Sequence, residues 1–375
     1  MNIKKYLLLF LCLPCFMQAK TITISRLTCE MQEGLVVVEG SPRLGWVMES
    51  PENGTRQSAY EIDIREAFTG RSVWNSGKVY STQSQLVSIE GADIRPDNQF
   101  NYSWRVRVWD ETDAPSEWSR EAKFRSASSR LSEGKWIGAI TRQNAHLPEG
   151  RKFHGGELKK PEVKAAWEAV DTLAKKSICL RRTFQVGDRT EGNTNRQSGK
   201  KIVEATAYVC GLGFYEFSLN GKKVGNSEFA PLWSDYDKTV YYNTYDVTEQ
   251  LRHGENAVGI LLGNGFYNVQ GGRYRKLQIS FGPPTLLFEL VINYEDGTST
   301  TLRSDNDWKY DFSPVTFNCI YGGEDYDARR EQKGWNQVGF DDSHWRPVVI
   351  QEAPKGILRP QMAPQIGRAS CRERV

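Results

Sequence analysis

Apolar residues recur at every second position over most of this chain. Tyr102, Trp104, Val106 and Val108 alternate with Ser103, Arg105 and Arg107, which is the period of a strand with one buried face. Similar runs, bounded by Gly, Pro, Asn and Asp, predict strands over residues 21–28, 43–49, 59–65, 72–79, 84–89, 100–110 and 122–126. Residues 20–128 therefore read as a small β-sandwich with Tyr102 and Trp104 in its core. A second set is predicted over 178–186, 201–210, 213–219, 239–246, 256–262, 285–294, 300–304 and 347–350. Asn220-Gly221 and Asp296-Gly297 supply hairpin turns that tolerate positive φ. No helical period appears in residues 178–352, so this stretch reads as a larger antiparallel domain, whose strand number and long connections fit a jelly roll.

The intervening segments lack this alternation. Residues 129–177 read as a linker or insertion, with a strand-like piece starting at Trp136-Ile137, then polar and basic from Arg142 to Lys176, with one short helix over 163–174 that puts Trp167 on its apolar side. Residues 187–200 read as a second polar insertion. Neither interleaves aromatic with basic residues, which argues against single-stranded nucleic acid as a partner. Residues 353–366 read as a linker to a further domain, and the Arg-rich residues 367–375 as a non-native tail.

Composition narrows the class. Among 375 residues, 49 Lys and Arg against 46 Asp and Glu give a net charge of +3, too balanced to favour nucleic acid or an acidic polymer. Eleven Trp, sixteen Tyr and 33 Gly suit a β-rich protein with flat aromatic surfaces. Lys4 and Lys5 precede an apolar run over residues 6–16, and Ala19 stands where cleavage would fall. Residues 1–19 thus read as a secretory signal, which implies export to the periplasm or beyond. Pro14 before Cys15 speaks against a lipid anchor, and no later stretch is long and apolar enough to span a membrane. The cysteines after the signal (Cys29, Cys179, Cys210, Cys319 and Cys371) show no metal-site spacing. Cys179 and Cys210 read as small core residues, with a disulfide between them left open.

Candidate chemistry gathers at strand ends. Trp233, Asp235 and Tyr236 in P-L-W-S-D-Y, and Asn264, Phe266 and Tyr267 in G-N-G-F-Y-N, pair aromatic plates with planar polar groups. That combination suits a sugar, and the glycines would let backbone approach it. Asp235, Asp237 and Asn264 offer oxygens to calcium, although no calcium-loop motif is present. Four His without zinc-site spacing give no zinc centre. Glu324, Asp325 and Asp327 lie close to Arg329; turn hydrogen bonds and an Arg–carboxylate pair explain them better than a catalytic dyad.

In order along the chain, P-R-L-G-W (42–46), Q-S-A-Y-E-I (57–62), W-N-S-G-K-V (74–79) and W-R-V-R-V-W-D (104–110) mark the first module. Residues 209–268, Y-G-G-E-D-Y-D-A-R (321–329), Gly334-Trp335 and G-F-D-D-S-H-W (339–345) mark the second. This series resembles the N-terminal domains of bacterial α-L-rhamnosidases of glycoside hydrolase family 78. The strand 102–110 and the segment Ser116-Glu117-Trp118-Ser119 also resemble fibronectin type III domains. The resemblance implies an all-β fold: a fibronectin III or immunoglobulin-like sandwich, then a jelly roll. It further implies exo-acting removal of terminal α-L-rhamnose with inversion, on rhamnose-containing glycans. Some family members bind rhamnose on the jelly roll with calcium.

The family's catalytic glutamates stand on an (α/α)6 barrel that follows these domains, and no position here matches them. No catalytic residue is assigned, and the chain is expected to be inactive by itself. Glu324, Asp327 and Arg329 are expected to face the barrel. The competing reading is a free-standing carbohydrate-binding or adhesion protein without catalysis.

Overall fold

The computed structural model describes residues 22–95, 101–127, 130–148, 152–187, 200–271 and 277–362. The expected signal at 1–19, nearly all of the insertion at 187–200 and the tail at 367–375 lie outside them, as do Cys12, Cys15 and Cys371.

The first module comprises β1 (Thr23–Cys29), β2 (Val36–Val38), β3 (Arg43–Glu49), β4 (Gln57–Glu66), β5 (Ser72–Asn75), β6 (Val79–Tyr80), β7 (Val87–Ser88), β8 (Tyr102–Asp110) and β9 (Ala122–Ser126). One sheet has the order β1-β3-β7 and the other β2-β9-β8-β4-β5, with β6 also on β4. Trp46, Ile62, Ile64, Tyr102, Trp104, Val106, Val108 and Phe124 fill the space between them. The alternation in β8 has its predicted result. Arg105 and Arg107 point away from this core and pair with Asp63 and Glu61, their cross-strand partners on β4. Trp118 lies against both guanidinium groups, at 4.5 and 4.8 Å. β2 was not predicted because all of its residues are buried and no alternation shows; it runs parallel to β9.

The remaining elements are β10 (Ile137–Gly138), β11 (Lys152–His154), α1 (Pro161–Glu168), β12 (Ile178–Val186), β13 (Ile202–Leu212), β14 (Tyr215–Leu219), β15 (Lys222–Lys223) and β16 (Thr239–Asp246). They continue with β17 (Gly254–Leu262), β18 (Asn268–Val269), β19 (Leu277–Ser280), β20 (Thr285–Tyr294), β21 (Ser299–Arg303) and β22 (Lys309–Phe312). Last come β23 (Val315–Cys319), β24 (Gly323–Tyr326), β25 (Arg346–Pro347), β26 (Val349–Ile350) and β27 (Ile357–Pro360), besides short 3₁₀ turns. Two large sheets, β26-β10-β20-β13-β16-β27 and β15-β14-β17-β12-β22-β25, enclose one core. Phe288 sits at its centre, 5.7 Å from Phe217 and 5.3 Å from Trp308 between ring centroids. Asn220 and Gly221 both take positive φ (53° and 80°) in the tight β14–β15 turn.

Two segments outside the expected 178–352 domain join this sandwich, the first at the strand-like piece read at Trp136-Ile137. β10, within the expected insertion 129–177, pairs with β20 and β26. β27, within the expected linker 353–366, runs parallel to β16, and Leu358 packs beside Tyr236 and Tyr242. The expected helix 163–174 becomes α1 followed by a 3₁₀ turn at Thr172–Lys175. Trp167 is buried there with Ile140, Leu147 and Val170.

The sandwiches meet through buried polar groups. Glu204, on the outer face of β13, receives the Asn101 backbone N–H at 3.3 Å and the Asn101 side-chain amide. Arg125 from β9 lies 3.5 Å from Glu204 and 5.7 Å from the Tyr208 ring centroid. Arg125 also donates to the Asn101 side-chain Oδ1 at 3.3 Å.

Candidate functional site

The turn joining β13 to β14 and the turn after β17 touch backbone to backbone. A Cβ on Gly213 would lie 2.0 Å from the Gly263 carbonyl oxygen, and one on Gly265 2.8 Å from the Phe214 nitrogen. Both glycines have positive φ, 127° and 51°. The glycines of G-N-G thus admit the neighbouring chain, not a ligand as their spacing had suggested. Their close contact places Phe214 beside Phe266, with centroids 6.1 Å apart and planes nearly perpendicular.

A row of aromatic rings grows from that contact. Phe229 packs on Phe214 at 5.4 Å, and Trp233 stacks on Phe266 at 5.0 Å with an interplanar angle of 23°. Phe229 is 58% exposed and Trp233 61% exposed. Phe229 also has φ of 53°, an uncommon conformation for a bulky residue and one found preferentially at binding and switch sites. Beside the Phe214–Phe229 end lies a cleft of about 500 Å³, lined by Ser177, Glu216, Glu228, Asn318, Ile320 and Glu324 among others. At the other end Trp233, Ser234, Asp235, Ile279 and Phe281 line a hollow of about 430 Å³.

The six sugar-site candidates separate in space. Trp233 is exposed and stacks on Phe266, which is partly buried against the core. Tyr236 and Tyr267 are buried against each other and Phe281, and burial pushes the Tyr236 hydroxyl well above its ordinary pKa. Asp235 is exposed, and its side chain organises a turn, accepting from the Asp237 N–H at 3.3 Å and facing Lys238 at 3.3 Å. Asn264 is fully buried. Its amide donates to the Lys175 carbonyl at 2.8 Å and to Asn318 Oδ1 at 2.9 Å, and its oxygen accepts from Asn268 at 2.8 Å. These bonds, with the 2.7 Å bond from Asn318 to Ser177, tie the β23–β24 hairpin to the sandwich.

Asp235, Asp237 and Asn264 therefore do not fit calcium, because Asn264 is turned inward and already hydrogen-bonded. Among the described residues no three or more His, Cys, Asp or Glu side chains group as a metal site. Cys29, Cys179, Cys210 and Cys319 are buried free thiols.

The acidic cluster divides in the same way. Asp327 begins a 3₁₀ turn after β24 and accepts from Arg329 Nε at 2.8 Å and Nη2 at 2.9 Å. Those guanidinium bonds hold its carboxyl at a pKa of about 2. Glu324 is exposed on β24 and faces the cleft. Sequence reasoning missed Phe214, Phe229, Glu216 and Glu228; the F-Y and E-F pairs at strand ends were the available signal.

Two family models match in succession: "Rha78A-like, N-terminal immunoglobulin domain" over residues 24–129 and "Alpha-L-rhamnosidase N-terminal domain" over residues 200–370. These are the N-terminal β-domains of the α-L-rhamnosidase family. An α-L-rhamnosidase of Formosa agariphila is 35% identical over 355 residues, which are 90% of this chain and 35% of that protein. The chain thus spans about a third of that relative's length. Among solved structures, the α-L-rhamnosidase of Dictyoglumus thermophilum matches with a TM-score of 0.66 and 30% identity, over 91% of this chain and 35% of that one. The Streptomyces avermitilis α-L-rhamnosidase complexed with L-rhamnose matches with a TM-score of 0.70 and 25% identity, over 92% and 46%. Family membership agrees with the all-β architecture and the immunoglobulin-like first domain. Among the described residues the one α-helix has eight residues, and none is long and apolar enough to cross a membrane.

Proposed function

We propose that this chain is the accessory β-domain portion of an exported α-L-rhamnosidase that removes terminal α-L-rhamnose from glycans with inversion. The observation that carries the reading is the ordered pair of family matches, supported by relatives that align over about 90% of the chain. Export is supported by Lys4, Lys5 and the apolar residues 6–16. The second sandwich, which we read as a jelly roll, contributes sugar affinity and not catalysis. Inverting hydrolysis requires two carboxylates roughly 6.5–9.5 Å apart with water between them. Asp327 is held ionised by Arg329 and Arg330 and serves its turn. Sugar affinity is supported by the exposed Trp233 ring, backed by its stack on Phe266.

A free-standing carbohydrate-binding protein is the second reading, and the same stack favours it. The test is incubation of the purified chain with an aryl α-L-rhamnoside. No release of the aryl group is expected; hydrolysis that disappears on Glu324→Gln would instead place catalysis in this chain.

A further inference from the structure

We infer that the row Phe229–Phe214–Phe266–Trp233, with a hollow at each end, is the platform on which this chain holds a neutral oligosaccharide of two or more rings. The inference rests on the carbohydrate reading above and gives it a place and a ligand class. Four rings in successive contact join a cleft of about 500 Å³ to a hollow of about 430 Å³. A single small sugar occupies one end of such a row, whereas linked rings lie along it. Sugar rings present C–H faces to aromatic planes and hydroxyls to the flanks, where the carboxylates of Glu216, Glu228 and Glu324 line the cleft and can accept from them. A wholly apolar partner would leave the Glu216 and Glu324 carboxylates, both exposed at the cleft, desolvated and poorly paired.

Charge sets the class. The larger cleft is lined by Glu216, Glu228 and Glu324, and no Lys or Arg is among its described lining residues. Lys223 bridges Glu216 and Glu228 at 3.8 and 3.5 Å from outside that lining. A uronic acid entering there meets carboxylates, and a neutral sugar does not.

The full chain is titrated calorimetrically with L-rhamnose, with a neutral disaccharide of rhamnose on glucose, and with its counterpart carrying glucuronic acid in place of glucose. The neutral disaccharide should bind at least about tenfold more tightly than either of the others. Its margin over the acidic one should narrow in 1 M salt, where the screening length is about 3 Å. Trp233→Ala and Phe229→Ala should each remove the advantage over free rhamnose while circular dichroism is unchanged, since both rings are exposed. Glu324→Gln should reduce the discrimination against the acid. Disaccharide binding that survives both aromatic substitutions overturns the placement and leaves the carbohydrate reading intact. Equal or tighter binding of the acidic sugar overturns the ligand class. Failure of all three probes to bind overturns both readings and leaves the row as a protein-docking face.

Discussion

Asn264 and Phe266 stand two residues apart, and only Phe266 reaches the aromatic row. Both belong to a turn without a two- or 3.6-residue period, so composition could mark the segment as special but could not say which side chains face out. Trp233 and Tyr236 show the same limit: one is exposed and the other buried, in a loop where residue type gave the same expectation for both. The role of Asp327 was legible, because Arg329 two residues on is within reach of the carboxylate. The buried amide network yields a prediction. Asn264→Ala removes one side-chain partner each from Asn318 and Asn268, and the donor to the Lys175 carbonyl, and should lower stability by about 1–3 kcal/mol, measured by urea denaturation. A surface sugar ligand at that position would instead lose affinity with stability unchanged.

At the scale of elements, β3, β9, β12, β16 and β20 have their predicted bounds, because in each an apolar run is closed by turn residues. β27 escaped because it is short and draws its register from a strand far away in sequence. The β23–β24 hairpin, which carries Asn318 and Glu324 to the cleft, was also missed; its partly exposed residues give only a weak alternation. The turn after β17 depends on glycine. Gly265→Ala puts a Cβ 2.8 Å from the Phe214 nitrogen at a φ of 51°. It should cost more than about 1 kcal/mol in thermal unfolding. It should also disturb the Trp233–Phe266 stack, visible as a shift in tryptophan emission.

At the scale of the molecule, sequence divided the chain into two β-domains, and Arg125, Asn101 and Glu204 form a buried junction between them. That junction was not legible, since it joins polar positions on the outer faces of strands about eighty or more residues apart. Burial raises the Glu204 pKa above its ordinary value, while Arg125 draws it back. The folded state therefore holds this proton more tightly than the unfolded chain. Its stabilising contribution is fully present below the unfolded pKa of about 4.3 and is lost as pH rises through the folded value. Glu204→Gln should remove that slope from stability measured by denaturation across pH 4 to 8. The platform stands on the second sandwich and needs no catalytic pair beside it. Saturation-transfer NMR on the wild-type chain with an intact neutral rhamnose-capped disaccharide tests this most directly. The account predicts transfer to the rhamnose methyl and ring protons, with no free rhamnose accumulating; free rhamnose, or no transfer at millimolar sugar, would contradict it.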